Sequence, residues 1–240
     1  MGSAGDGQRP VGQHHRRLRP ASRTGGVRAG YRPLTRNAIW WWPPVGLAAL
    51  ALLGWAVGTG STPIDDWFQR AHGSVLGWLL FFTDQRTVAV ILLGALAVAI
   101  YRRRWLLAVL VVVNPVMAVW LSRIFKGLFG REKGGAPAYP SGHTTLMVAV
   151  LGMVVLVAGA RLYVVAVAVI WALLGMLGQA VTYHYFTDAV GGLLLGSSLV
   201  CVAAAAAVVS HRQQSARTGS ANNVKGGSAG GEGGSARGGA

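Results

Sequence analysis

Charge is scarce in this chain, and so is cysteine. Only 12% of its 240 residues are Asp, Glu, Lys or Arg, while 52% are hydrophobic and the mean hydropathy is +0.46. Those values lie far from a soluble domain. The apolar residues come in runs rather than in alternation, the pattern of membrane spans. A single cysteine, Cys201, excludes an intrachain disulfide. It lies inside an apolar run and reads as a small core residue. No internal repeat is visible, which removes the signature of a transporter built from two related halves.

The formal net charge of +15 raises the question of nucleic acid, and its distribution answers it. Eight arginines fall within the first 36 residues: Arg9, Arg16, Arg17, Arg19, Arg23, Arg28, Arg32 and Arg36. The aromatic residues that a base-stacking surface interleaves with its cations are nearly absent there, so no nucleic-acid partner is expected. Residues 1–36 read instead as a disordered, basic cytoplasmic arm that touches anionic lipid. No apolar stretch promptly follows Arg16–Arg17, which argues against an export signal.

Six apolar runs follow. They cover about 39–57, 87–100 with its flanks, 106–121, 143–158, 162–180 and 189–209. The first opens on Trp40, Trp41 and Trp42, an interfacial aromatic belt, with Pro43–Pro44 near its start, where proline is tolerated. The stretch "VLGWLLFF", 75–82, is too short to span and reads as a helix lying along the interface. From His211 the chain is Gly/Ser-rich, the composition of a flexible end. The expectation is therefore an all-α, integral-membrane bundle of six transmembrane helices over 37–210, flanked by disordered tails at 1–36 and 211–240.

Six spans place both termini on one side, and cations choose the side. The two tails, "YRRRW" and Arg161 together hold 16 of the 22 Lys and Arg residues, so that face is expected to be cytoplasmic. The Ala-, Gly-, Val- and Arg-heavy composition points to a GC-rich bacterial genome, hence a bacterial plasma (inner) membrane. Arg123, Lys126, Arg131 and Lys133 break this rule by crowding into one outer loop.

That loop leads into "YPSGH". Ser141 suits the cap of the fourth span, Gly142 lets an oxyanion approach the backbone, and His143 stands in the first turn beside it. At the start of the sixth span, His184 and Asp188 are four apart. On a helix they would share a face, and the carboxylate would orient the imidazole as a nucleophile, a general base or a metal ligand. Lys126, Arg131 and Lys133 supply the cations that a phosphoryl group needs.

This arrangement resembles the type 2 phosphatidic acid phosphatases, membrane lipid phosphatases related to vanadium haloperoxidases. The family pattern is K-x6-R-P, then P-S-G-H, then S-R-x5-H-x3-D, and the resemblance covers about 39–209. Pro140-Ser141-Gly142-His143 matches in full, His184 and Asp188 match the H-x3-D part, and Lys126 opens the first motif. Two departures stand out. Lys133-Gly134 replaces Arg-Pro, and Leu177-Gly178 stands where the family has Ser-Arg. Arg131 is a candidate for the part of the first missing arginine, and Arg123, on the same helical face as Lys126, for the second.

The resemblance implies an active site at the extracytoplasmic span ends. His184 would attack phosphorus to form a phosphohistidine, with Asp188 holding its tautomer. His143 would protonate the leaving group and then activate water, while Ser141, Gly142, Lys126, Lys133 and Arg131 hold the oxygens. Substrates would be lipid phosphates or polyprenyl (di)phosphates drawn from the bilayer, with no cofactor and no metal. A relative with a degraded third motif, one that binds a lipid phosphate or a partner without catalysis, is the alternative.

The remaining polar residues have simpler readings. His143, His184 and Asp188 are too few and wrongly spaced for zinc. His14, His15 and His211 lie in the tails and His72 in a polar loop. Tyr139, Tyr183 and Tyr185 read as interfacial belt residues, Asp65 and Asp66 as loop or capping acids, and Met147, Met153 and Met176 as packing.

Overall fold

The computed structural model describes Gly2 and residues 34–229. The helices are α1 (Leu34–Val57), α2 (Pro63–Gln69), a 3-10 helix (Val75–Thr83), α3 (Gln85–Tyr101), α4 (Trp105–Phe129), α5 (Gly142–Ala158), α6 (Leu162–Val181) and α7 (Phe186–Ala229). Between α4 and α5 lies a small antiparallel hairpin, β1 (Glu132–Lys133) with β2 (Ala136–Pro137). Of the arm expected over 1–36, residues 34–36 open α1, while residues 3–33, like 230–240, lie outside the described residues.

Local chemistry sets many of these boundaries. Thr62 and Asp65 form a reciprocal capping box on α2, and Asp84 accepts from the Arg86 and Thr87 amides to start α3. Gly130 and Gly159 take left-handed conformations that end α4 and α5. Two expected boundaries move. Helix α1 begins at Leu34, so Pro43 and Pro44 fall inside it rather than in its first turn. Helix α7 continues to Ala229, through much of the segment 211–240 expected to be a disordered tail: 211–218 offers no glycine or proline to stop it, and it runs on through Gly219, Gly226 and Gly227.

Among the described residues, five apolar helical runs are long enough to cross a membrane: Ala38–Val57, Val75–Tyr101, Trp105–Phe129, Leu162–Val181 and Phe186–Ser210. The second joins the 3-10 helix to α3. The short apolar stretch therefore continues into the next helix, and it also packs against α6. Helix α5, with 17 residues, is shorter than these five runs. It sits at the centre, packed against α3, α4, α6 and α7, with Met147, Ala149, Val150 and Met153 almost wholly buried. A helix sheathed in protein does not have to match the lipid thickness.

Outward faces of the other helices carry exposed Val90, Leu93, Val109, Trp120, Ile170 and Leu173, which is the reverse of a soluble protein's surface. Small residues let α7 approach α5 closely. A Cβ at Gly192 would lie 2.6 Å from the Ser141 carbonyl oxygen, and one at Gly196 would lie 2.9 Å from that of Thr145. This contact brings the starts of α5 and α7 together. The ends of α4 and α6 and the 58–84 connection meet them there through the hydrogen bonds described next.

Candidate functional site

The site is built on the starts of α5 and α7. Ser141 is buried and caps α5, its Oγ accepting from the Thr144 amide at 3.4 Å. Its own amide donates to the Asp188 carbonyl at 2.9 Å, which ties the two helix starts. The Gly142 and His143 amides, first in the helix, have no acceptor among the described residues. A Cβ on Gly142 would make only an ordinary contact, 3.4 Å from Ser122 Oγ, so the space above it is open. Tyr139 is not a belt residue. It is fully buried and donates from its hydroxyl to the Leu50 carbonyl at 2.6 Å, because the α1–α7 contact closes over it.

His184 sits in the turn before α7 rather than on the helix. Its amide donates to the Gln179 carbonyl at 2.9 Å. Its own carbonyl accepts from Lys133 Nζ at 3.0 Å and from Gln69 Nε2 at 3.1 Å. The four-residue spacing still brings its Nδ1 to 3.6 Å from Asp188 Oδ2, too long for a hydrogen bond, and this buried Nδ1 has no partner among the described residues. His143 is exposed at the mouth, its ring centre 6.3 Å from that of His184. Lys126 and the His184 ring are its titratable neighbours.

Arg131 does something other than expected. It is wholly buried. Nη1 donates to Asp188 Oδ1 at 2.7 Å and to Thr187 Oγ1 at 2.6 Å, and Nη2 to Asp65 Oδ2 at 2.7 Å. Nη2 and Nε both reach the Gly60 carbonyl, at 2.8 and 3.1 Å. A guanidinium has five N–H groups, and all five are engaged. Arg131 is therefore not a phosphate ligand; it is the clamp that holds Asp188 from behind.

Asp65, read from sequence as a capping or loop acid, does cap α2 and is also the other end of that clamp. It is fully buried and accepts from Thr187 N and Oγ1 at 2.9 and 3.0 Å. Burial alone would raise its pKa. Hydrogen bonds from Thr187, Thr62 and Arg131 outweigh that and hold the carboxyl below its ordinary value. The Thr62–Asp65 spacing signals the cap, but nothing local signals a partner 66 residues downstream.

Lys126 is half-buried in the last turn of α4 and donates to the Pro137 carbonyl at 2.6 Å. Lys133 is carried by the hairpin, whose turn needs Gly134 and Gly135 at φ of +60° and +77°. Proline cannot take that conformation, so the Lys-Gly pair follows from the hairpin. Desolvation lowers the pKa of Lys133, against the opposing pull of Asp188 and Asp65. Tyr185 lies beneath both cations, with the Arg131 guanidinium carbon at 4.5 Å and Lys133 Nζ at 4.9 Å from its ring centre. Tyr183 is exposed.

The place of the second missing arginine is filled. A Cβ at Gly178 would lie 2.5 Å from the Leu79 carbonyl carbon and 2.7 Å from the Leu80 amide nitrogen, both backbone atoms of the 3-10 helix. Arg123 is exposed on α4 and makes no hydrogen bond among the described residues. Next to Gly178, Gln179 donates to Thr83 Oγ1 at 2.7 Å. His72, read as a bland loop residue, has its Nδ1 3.1 Å from the Val181 carbonyl and helps dock α2. Among the described residues, no group of three His, Cys, Asp or Glu is placed to hold a metal ion.

No family model, curated protein or solved structure matches the chain. Its fold and surface define an all-α, membrane-associated bundle of long apolar helices. At one end this bundle gathers two histidines, two carboxylates and three cations.

Proposed function

We propose that the protein is an integral-membrane phosphatase of the type 2 phosphatidic acid phosphatase kind. It hydrolyses a lipid phosphate or polyprenyl (di)phosphate through a phosphohistidine. The observation that carries this reading is the meeting of His184, Asp188 and His143 beside the unpaired first-turn amides of α5 and the two lysines. Six helices cross the bilayer, both termini are cytoplasmic, and the site faces outward; the cation distribution supports this orientation.

With Nδ1 turned to Asp188, Nε2 of His184 attacks phosphorus. The N–P bond forms as the bond to the lipid oxygen breaks, and His143 gives that oxygen its proton. Water then enters, losing a proton to His143 as its oxygen bonds to phosphorus, and the N–P bond breaks to release phosphate and His184. Lys126, Lys133, Ser141 and the amides of Gly142 and His143 face the developing charge. The 3.6 Å separation of His184 and Asp188 shortens to a hydrogen bond when the charged ligand binds.

A second reading, a non-catalytic lipid-phosphate binder, is favoured by the engaged Arg131 and the filled space at Gly178. Phosphate release from phosphatidic acid and a polyprenyl phosphate, measured in detergent with a chelator present, separates the two. Release that disappears in His184→Ala, with acid-labile, base-stable phosphate on the wild-type chain, supports the enzyme. A folded protein that binds these lipids and releases nothing supports the binder.

A further inference from the structure

The cations beside His184 are fewer than the sequence offers, and the shortfall bears on what the site accepts. Arg131 has no donor left for a ligand. The backbone of Leu79 and Leu80 occupies the space that a side chain at 178 would need. Arg123 is exposed and bonded to none of the cluster. What remains are two lysines, each a point charge without the fork that grips two oxygens of one group or bridges two groups.

We infer that the site is built for a single phosphoryl group, so that the substrate is a lipid phosphate monoester rather than a diphosphate. This rests on the phosphatase reading above and selects its substrate class. Charge gives the first reason. Arg131, Lys126 and Lys133 face Asp65 and Asp188, which leaves a surplus of one positive charge in the cluster. Glu132, next to Lys133, is exposed and adds nothing positive. A phosphate monoester carries about −1.5 to −2 charges at neutral pH, which this surplus and the unpaired amides at the α5 start can meet. A diphosphate brings a second anionic phosphate, and among the described residues no further cation is held in the cluster to meet it.

Donor count gives the second reason. An ammonium has three N–H donors, and among the described residues one on each lysine is bonded, to the Pro137 and the His184 carbonyl. Two donors remain on each lysine, together with the Gly142 and His143 amides and the Ser141 hydroxyl. Those seven donors give each of the three free oxygens of one phosphoryl group about two hydrogen bonds. The five free oxygens of a diphosphate would share the same seven, leaving lone pairs desolvated without partners.

The test uses the full chain in detergent and matched pairs of lipids. One pair is a polyprenyl monophosphate and diphosphate; the other is phosphatidic acid and the diphosphate of the same diacylglycerol. The expected result is a kcat/KM at least about tenfold higher for the monophosphate in both pairs, so that preference follows phosphate number and not lipid. A smaller ratio, or a reversed one, overturns the inference while leaving the phosphatase reading standing. Calorimetric titration with inorganic phosphate and pyrophosphate gives a readout that needs no turnover. Pyrophosphate binding less than about tenfold tighter than phosphate is expected, and a larger preference for pyrophosphate overturns the inference. If no lipid releases phosphate, the phosphatase reading falls, and this titration still decides how many phosphates the site holds.

Discussion

Arg131 Nη2 and Asp65 Oδ2 meet at 2.7 Å with neither side chain reaching solvent, and the same guanidinium holds Asp188 at 2.7 Å through Nη1. Asp65 lies on α2, between the first and second long helices, and Asp188 on the first turn of the last. The clamp therefore fastens the 58–74 connection to the base of the candidate site. Removing Asp65 leaves an Arg131 N–H and the Thr187 amide and hydroxyl buried without their acceptor. Asp65→Ala is expected to destabilise the fold by about 3–5 kcal/mol, read as a lowered unfolding midpoint in detergent. A stability close to wild type would mean that the connection is not fastened there.

The same pair sets a dependence on acid. Asp65 has a folded-state pKa below its unfolded value, because its hydrogen bonds outweigh the burial that opposes them. Its contribution is present above the ordinary carboxylate range and is lost as pH falls through the depressed folded-state value. Thermal unfolding in detergent from pH 7 down to pH 3 is expected to show this loss. Asp65→Asn, already lower at pH 7, is expected to fall less steeply over the same interval. Parallel curves for the two proteins would assign the acid sensitivity elsewhere.

How much of this was legible in the sequence varies with the range of the interaction. The apolar runs mark the helices because burial in lipid or protein needs length and hydropathy, both of which are local. Ser141 as a cap and the nearness of His184 to Asp188 also follow from spacing alone. Arg131 does not, since its buried role depends on Gly60, Asp65 and Thr187 arriving from two distant segments. Tyr139 is misread for the same reason: an aromatic beside a span looks like a belt residue until α1 and α7 close over it. The hairpin under Lys133 is carried by Gly134–Gly135, whose turn signal is local but easily lost inside a motif comparison.

Lys133 makes ligand binding sensitive to base. Its pKa is lowered chiefly by desolvation, so the cation that would meet a phosphate is lost at a lower pH than for an exposed lysine. Phosphate itself only becomes more negative over this interval, which favours binding to a cation and cannot explain a loss. Binding of inorganic phosphate, followed by titration between pH 7 and pH 10, is expected to weaken towards the alkaline end. In Lys133→Arg, whose guanidinium stays charged throughout, the alkaline weakening is expected to shrink. An unchanged profile would remove Lys133 from the ligand's surroundings.

Gly178 offers the most direct test of why the arginine of the type 2 phosphatidic acid phosphatase pattern has no counterpart here. The 3-10 helix lies against α6 so closely that a Cβ would meet the Leu79 carbonyl carbon at 2.5 Å and its oxygen at 2.7 Å. These are backbone atoms and cannot rotate away as a side-chain tip would. At Gly175, one turn earlier, the partners are the Met147 sulfur and the Thr83 methyl, which can adjust. Gly178→Ala is therefore expected to cost about 1–3 kcal/mol through overpacking, and Gly175→Ala less. Gly178→Arg, which introduces that pattern's residue type, is expected to lower stability further and not to raise phosphate affinity. If Gly178→Arg instead folds with wild-type stability and binds inorganic phosphate more tightly, the 3-10 helix is displaceable. The position would then be open to a third cation, and the preference for a single phosphate would be expected to relax with it.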